Sequence, residues 1–341
     1  MVLASFEGHL PGPVTEPAPP RRPGSVRRTS HLDVTRPEGG PFTWSTITGA
    51  ARDLLTTASG PSVVGSGSLF AEIGADGTIE RDAYEPTDTD HLDTLVGARP
   101  GFGFRSEAKD LLARLAGTPL GLLIDDLSGA PAASGYGAIR ERVLLGLPDP
   151  PMPAAPVTGA TRPDVCAGWR AGGLPDRSRS AGLPMPFEAE PPVAPPLVCA
   201  DELAWHPMGA LGVRQSRRIR RLDLWCEGDS LVVDAMFRDS TVDPDLTQRV
   251  VHEYALSAVV DARIMTVLEV HATPRALPFP TDCPLAAAGA STILGEAVDG
   301  LRSTVRLVSR GPGSCTHLND LYRSLADVPA LAAALGVTRG A

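Results

Sequence analysis

Three consecutive segments decide the fold class: Ile219-Arg220-Arg221-Leu222-Asp223-Leu224-Trp225-Cys226, the turn Glu227-Gly228-Asp229-Ser230, and Leu231-Val232-Val233-Asp234-Ala235-Met236-Phe237-Arg238. Apolar residues alternate partially on both sides of a glycine-containing turn, the pattern of an antiparallel hairpin with one face in a core. Two β-branched-rich runs come next, 250–260 and 264–271, separated by Asp261-Ala262-Arg263, which predicts a second hairpin. After Pro280 the period turns helical over 284–298, 301–309, 316–325 and 329–335. A meander succeeded by helices predicts an α+β fold whose helices cover one face of an antiparallel sheet.

Working outward, 147–196 and the first 40 residues are where the 34 prolines and 35 glycines concentrate, so neither stretch reads as core. The expected organisation is two-domain: a disordered tail over 1–28, an N-terminal α+β domain over 29–147, a proline-rich linker over 148–200, and a C-terminal domain over 201–341. In the first domain, 69–73 and 78–80 flank Ala75-Asp76-Gly77 as a hairpin, and 106–116 reads as a short helix ended by Gly117. No repeat with a solenoid-range period is visible.

The chain has 341 residues, 43% of them hydrophobic, and a formal net charge of −9. That charge argues against nucleic acid as a partner. No apolar run reaches the roughly 18 residues of a membrane span, and the first residues lack a signal-peptide pattern, so a cytoplasmic protein with no membrane partner is expected. A protein or small-molecule partner and the oligomeric state stay open. Five cysteines are too few and too scattered for a disulfide framework, which leaves thiols or metal ligands in a reducing compartment.

Two of these cysteines fall at expected helix starts, Cys283 in Thr281-Asp282-Cys283-Pro284 and Cys315 in Gly313-Ser314-Cys315-Thr316-His317. Unpaired N–H groups and a partial positive charge at a helix start favour thiolate. With His317 two positions on and His252 at the entry to a strand, His252, Cys283, Cys315 and His317 make a candidate tetrahedral metal set with two sulfurs and two imidazoles. Spacing alone does not distinguish this from thiols buried in a core. Asp282 reads as a helix cap, Arg238, Asp239 and Asp234 as a solvated strand face, and Asp125 and Asp126 as surface or cap residues. Cys166, Trp169, Trp205 and His206 read as packing of the linker, with a second site as the rival. No complete phosphate loop, dinucleotide fingerprint or nucleophile elbow is present.

Pro278-Phe279-Pro280 leading to Asp282-Cys283-Pro284, then Leu294-Gly295, then Cys315-Thr316-His317-Leu318 with Asp320-Leu321, resembles the bacterial family known as Domain of Unknown Function 2889. The resemblance covers roughly the last 130 residues and implies no reaction. More distantly, the order of strands, helix-start cysteine and later Cys/His pair is similar to iron–sulfur scaffolds of the IscU/NifU type, with His252 in the position of their acidic ligand. The first scaffold cysteine is absent and the final pair is inverted. Zinc is accordingly the expected occupant, with an iron–sulfur cluster the less favoured one. Two rivals stand beside it: a thiol-dependent enzyme or sulfur carrier using Cys315 with His317, or Cys283, and a non-catalytic binding or assembly module accessory to a catabolic pathway.

Overall fold

The hairpin at 219–238 forms as β5 (Gln215–Glu227) and β6 (Ser230–Val242). Gly228 closes it at φ +60°, in the left-handed region that a Cβ resists. β7 (Gln248–Asp261) and β8 (Val267–Ala276) complete this half's meander. In a computed structural model, residues 9–38, 45–85, 95–147, 163–197 and 199–338 are described. The expected hairpin around Asp76-Gly77 joins β3 (Gly60–Ile73) to β4 (Ile79–Glu85). Before it come β1 (Ser25–Thr35) and β2 (Thr46–Thr57).

The two meanders do not stand apart. β1 pairs antiparallel with β5 from Ser25 opposite Trp225 to Thr35 opposite Gln215, giving one eight-stranded sheet in the order β4-β3-β2-β1-β5-β6-β7-β8. A two-domain reading of the sequence therefore meets a structure whose halves share one hydrogen-bonded ladder. Order also starts earlier than Thr29, because β1 begins at Ser25 and residues before it lie against the sheet. The parts of the expected tail and linker at 1–8, 148–162 and 198 fall outside the described residues.

Helices cover one face. The first half supplies α1 (Phe104–Glu107), α2 (Lys109–Arg114), α3 (Pro119–Asp126) and α4 (Ala130–Leu144). After α5 (Leu174–Ser180), the second half supplies α6 (Leu301–Val308), α7 (Thr316–Ser324) and α8 (Val328–Ala334). The helix expected from 284 is instead a 3-10 run, Cys283–Ile293; Gly289 within it weakens the α pattern. Each half has its own apolar core beneath its helices, one built on Leu32, Ile47 and Leu123, the other on Leu224, Phe237 and Leu321.

Between these cores lies a balanced set of charges. Arg28, Arg105, Arg218, Arg220, Arg302 and Arg323 pair with Asp53, Asp125, Asp126, Asp239, Asp320 and Asp327. Asp125 and Asp126, expected at the surface, are buried here; neighbouring on α3, they point to different arginines. The opposite face of the sheet is covered by irregular chain. Pro17 and Pro19 accept from Arg221 and Arg27 through their carbonyls, Gly209 accepts from Arg217, and Trp205 packs on Ile219 and Met236.

The halves repeat one another. An offset of 190 positions relates Arg27, Arg28, Leu32 and Asp33 on β1 to Arg217, Arg218, Leu222 and Asp223 on β5. The ion pairs repeat as well, at an offset of 190 between β1 and β5 and of 186 between β2 and β6. Arg27 meets Asp223 at 2.5 Å and Arg217 meets Asp33 at 2.6 Å across the central strands, while Arg28–Asp53 (2.6 Å) matches Arg218–Asp239 (2.9 Å) within each half. The helices agree at an offset of 198, with Leu120, Leu123, Leu127 and Pro131 opposite Leu318, Leu321, Leu325 and Pro329. Four strands and then helices thus occur twice, related by a pseudo-twofold axis between β1 and β5.

Candidate functional site

Asp239 on β6, His252 on β7 and His317 in the first turn of α7 converge. Each offers a ligand atom, and these atoms all lie within 4.8 Å of one another. Asp239 stands beside His252 in the β6–β7 register, so both reach the helix-covered face, and α7 crosses above them. The two imidazoles stack with centroids 3.6 Å apart and planes 19° from parallel. Asp239 Oδ2 is 3.7 Å from His317 Nε2 and 4.0 Å from His252 Nδ1. Burial is the main cause that holds His317 down at about 3, with Arg218 adding to it, and it holds His252 well below the usual histidine range. Burial thus favours the neutral form of both rings, the form that binds a metal ion. His252 Nδ1 is buried with no hydrogen-bond partner among the described residues.

Asp239 is not idle in this arrangement. Arg218 donates to both its oxygens, at 2.9 Å each, and also reaches Asp126 and Asp320. Any cation at Asp239 competes with that guanidinium, which keeps two other carboxylates if it is displaced.

The sequence-derived quartet is divided between two adjoining groups. His252 and His317 belong to the imidazole–carboxylate cluster. Cys315 caps α7 and places Sγ 3.9 Å from His317 Nδ1, the ring nitrogen opposite the one that faces Asp239. Cys283 opens a 3-10 run where a helix start was expected, and lies on the thiol side of the cluster with Cys166 and Cys315. The expectation of thiolates at helix starts also meets a stronger effect. Burial pushes Cys166 up to about 12 and raises Cys283 and Cys315, outweighing the backbone N–H groups that favour the Cys315 anion.

Asp239 is the member the sequence reading missed. Arg238 and Asp239 were expected on a solvated face, yet both are buried: Arg238 pairs with Glu253 on one side of the sheet, Asp239 with Arg218 on the other. The available signal was the Arg-Asp dipeptide recurring at 52–53 and 238–239 opposite a recurring arginine pair. Asp282, expected as a cap, makes no side-chain cap bond and instead accepts from Arg170 at 2.8 Å. His206 lies on the other face of the sheet, stacked on His31.

Residues 215–331 match the family model described as Protein of unknown function (DUF2889). The cluster falls wholly inside this DUF2889 segment, whereas Cys166 lies outside it. No curated protein and no solved structure matches the chain. Among the described residues, no helix is long and apolar enough to cross a membrane.

The other half shows what the DUF2889 segment adds. The positions equivalent to Asp239, His252 and His317 are Asp53, Gly65 and Pro119: Asp53 pairs with Arg28 and stands opposite Gly65 on β3. A Cβ on Gly65 would meet Asp53 Oδ2 at 3.1 Å and Pro119 Cγ at 3.3 Å, and one on Gly67 would meet Leu120 N at 2.9 Å. Helix α3 rests directly on β3. In the DUF2889 segment, His252 and Tyr254 occupy those positions and stand between β7 and α7.

Proposed function

We propose that the DUF2889 segment is a metal-holding unit that binds a divalent ion, zinc first, with Asp239, His252 and His317 as protein ligands. The observation that carries this reading is the convergence of one carboxylate and two neutral imidazoles to within 4.8 Å in a buried setting. Zinc accepts nitrogen and carboxylate oxygen, and three protein ligands leave a fourth position for water, a sulfur donor or a partner group. Asp239 and His252 are buried beneath α7, which favours an ion that ties β6 and β7 to α7 over one that turns over a substrate. An iron–sulfur cluster is less favoured, because the thiols stand beside the imidazole–carboxylate group. The thiol-enzyme rival is disfavoured by burial, which keeps Cys283 and Cys315 protonated. A reducing cytoplasm suits these free thiols.

The experiment is metal analysis of the full-length chain after equilibration with zinc and gel filtration. In a Cys283→Ser chain, which leaves only this cluster to bind, about one ion is expected, and it is lost when His252→Ala or His317→Ala is added. A Cys283→Ser chain that carries no ion, or that keeps it once a histidine is removed, overturns the reading.

A further inference from the structure

Three short 3-10 turns pack on one another beside the imidazole–carboxylate cluster: Ala167–Trp169, the Cys283–Ile293 run and Gly311–Gly313. Each brings a cysteine. Cys166 precedes the first turn, Cys283 opens the second, and Cys315 comes two positions after the third. The backbone ties them together, since the Ala167 N–H donates to the Ser314 carbonyl at 2.8 Å. Gly168 permits the close approach of the second thiol: a Cβ there would come within 2.6 Å of Cys283 Sγ.

Cys283 and Cys315 lie in one buried cluster with Tyr254 and Tyr322, and Cys166, also buried, adjoins it through Ala167, a member of the same cluster. Both tyrosine hydroxyls are buried beside Cys315, Tyr254 at 0% and Tyr322 at 1% exposure; the Tyr254 hydroxyl is turned to the Cys315 sulfur, and that of Tyr322 has no hydrogen-bond partner among the described residues. An unpaired hydroxyl in an apolar core costs free energy, and a thiolate acceptor would relieve it.

We propose that Cys166, Cys283 and Cys315 form a second site, for a thiophilic d10 ion of the zinc–cadmium kind. Binding forms three metal–sulfur bonds and releases three thiol protons to solvent, with no change of oxidation state. Three thiolates around a divalent ion leave one negative charge, which the Tyr254 hydroxyl is placed to meet as a donor. The three sulfurs are not all within 4.8 Å of one another, so binding draws the three 3-10 turns together. Soft sulfur ligands select such ions over the harder ones that a carboxylate favours. The site recruits a residue from outside the DUF2889 segment, and it does not rest on the imidazole–carboxylate reading.

Cadmium titration of the reduced full-length protein tests it through the ultraviolet thiolate-to-cadmium charge-transfer band. The wild type is expected to saturate at one equivalent of this band. Cys166→Ser should remove about a third of its intensity and weaken binding by more than the roughly 10–100-fold that an outer-shell partner commands. Cys226→Ser, at an exposed thiol, should change nothing, and His252→Ala should leave the band intact even as it empties the other cluster. Absence of the band, or a Cys166→Ser titration identical to wild type, overturns the proposal. Should Cys166→Ser fail to fold, alkylation of the wild type decides: cadmium is expected to protect Cys166, Cys283 and Cys315 but not Cys226, and equal labelling of Cys166 with and without cadmium refutes the site.

Discussion

Asp126 accepts from Arg220 and meets Arg218 at 3.4 Å, with all three side chains buried. Asp126→Ala leaves two guanidiniums short of a partner in a dry setting, where loss of one member of a buried ion pair costs about 3–5 kcal/mol. The expected outcome is a lower denaturant midpoint at unchanged slope. On the opposite face, His31 Nδ1 lies 2.6 Å from His206 Nε2, and His206 Nδ1 lies 2.8 Å from Thr29 Oγ1. Burial lowers His31 to about 4 and His206 to about 3. Their folded values lie below the unfolded one, so their contribution is intact above about pH 6.5 and is lost as pH falls toward 4 and 3. Each group should add about 1.4 kcal/mol per pH unit to the slope near pH 5. Urea midpoints between pH 7.5 and 5 check this, and a His31→Asn/His206→Asn chain should lose that part of the slope. Neither histidine announced this role in the sequence, because their meeting joins a strand to an irregular segment 175 positions away.

At the scale of elements, the hairpins around Gly228 and Gly77 were legible because alternation and turn chemistry agreed. β1 was not. Its run Arg27-Arg28-Thr29-Ser30-His31 carries no apolar alternation, because here burial is made tolerable by ion pairs on both faces rather than by apolar side chains. The same inversion hid Asp239. Cys166 was separated from Cys283 by more than a hundred residues, and only packed 3-10 turns bring the two together. The contact of α3 on β3 gives an element-scale prediction. Gly67→Ala places a methyl 2.9 Å from Leu120 N, and overpacking against backbone of this kind costs about 1–3 kcal/mol. Thermal melting checks it, and a melting temperature equal to wild type would show that α3 lifts freely.

For the molecule as a whole, a shared ladder joins the two halves that the linker-like composition set apart. Unfolding one half would strip β1 from β5 and expose the arginines and aspartates between the cores. Calorimetry should therefore show one transition with equal calorimetric and van't Hoff enthalpies, and two resolved peaks would refute the coupling. The repeat escaped notice because its spacing, between 186 and 190 positions in the strands and 198 in the helices, lies far outside the usual range of repeat periods.

The crossed pairs Arg27–Asp223 and Arg217–Asp33 have a genetic consequence. A position facing only its own half, such as Gly65 or His252, is free to diverge from its counterpart. A charge reversal at Arg217 must instead be answered at Asp33, far upstream in the same reading frame. Drift in this chain is thus independent toward the sheet's outer edges and obligatorily correlated at its midline.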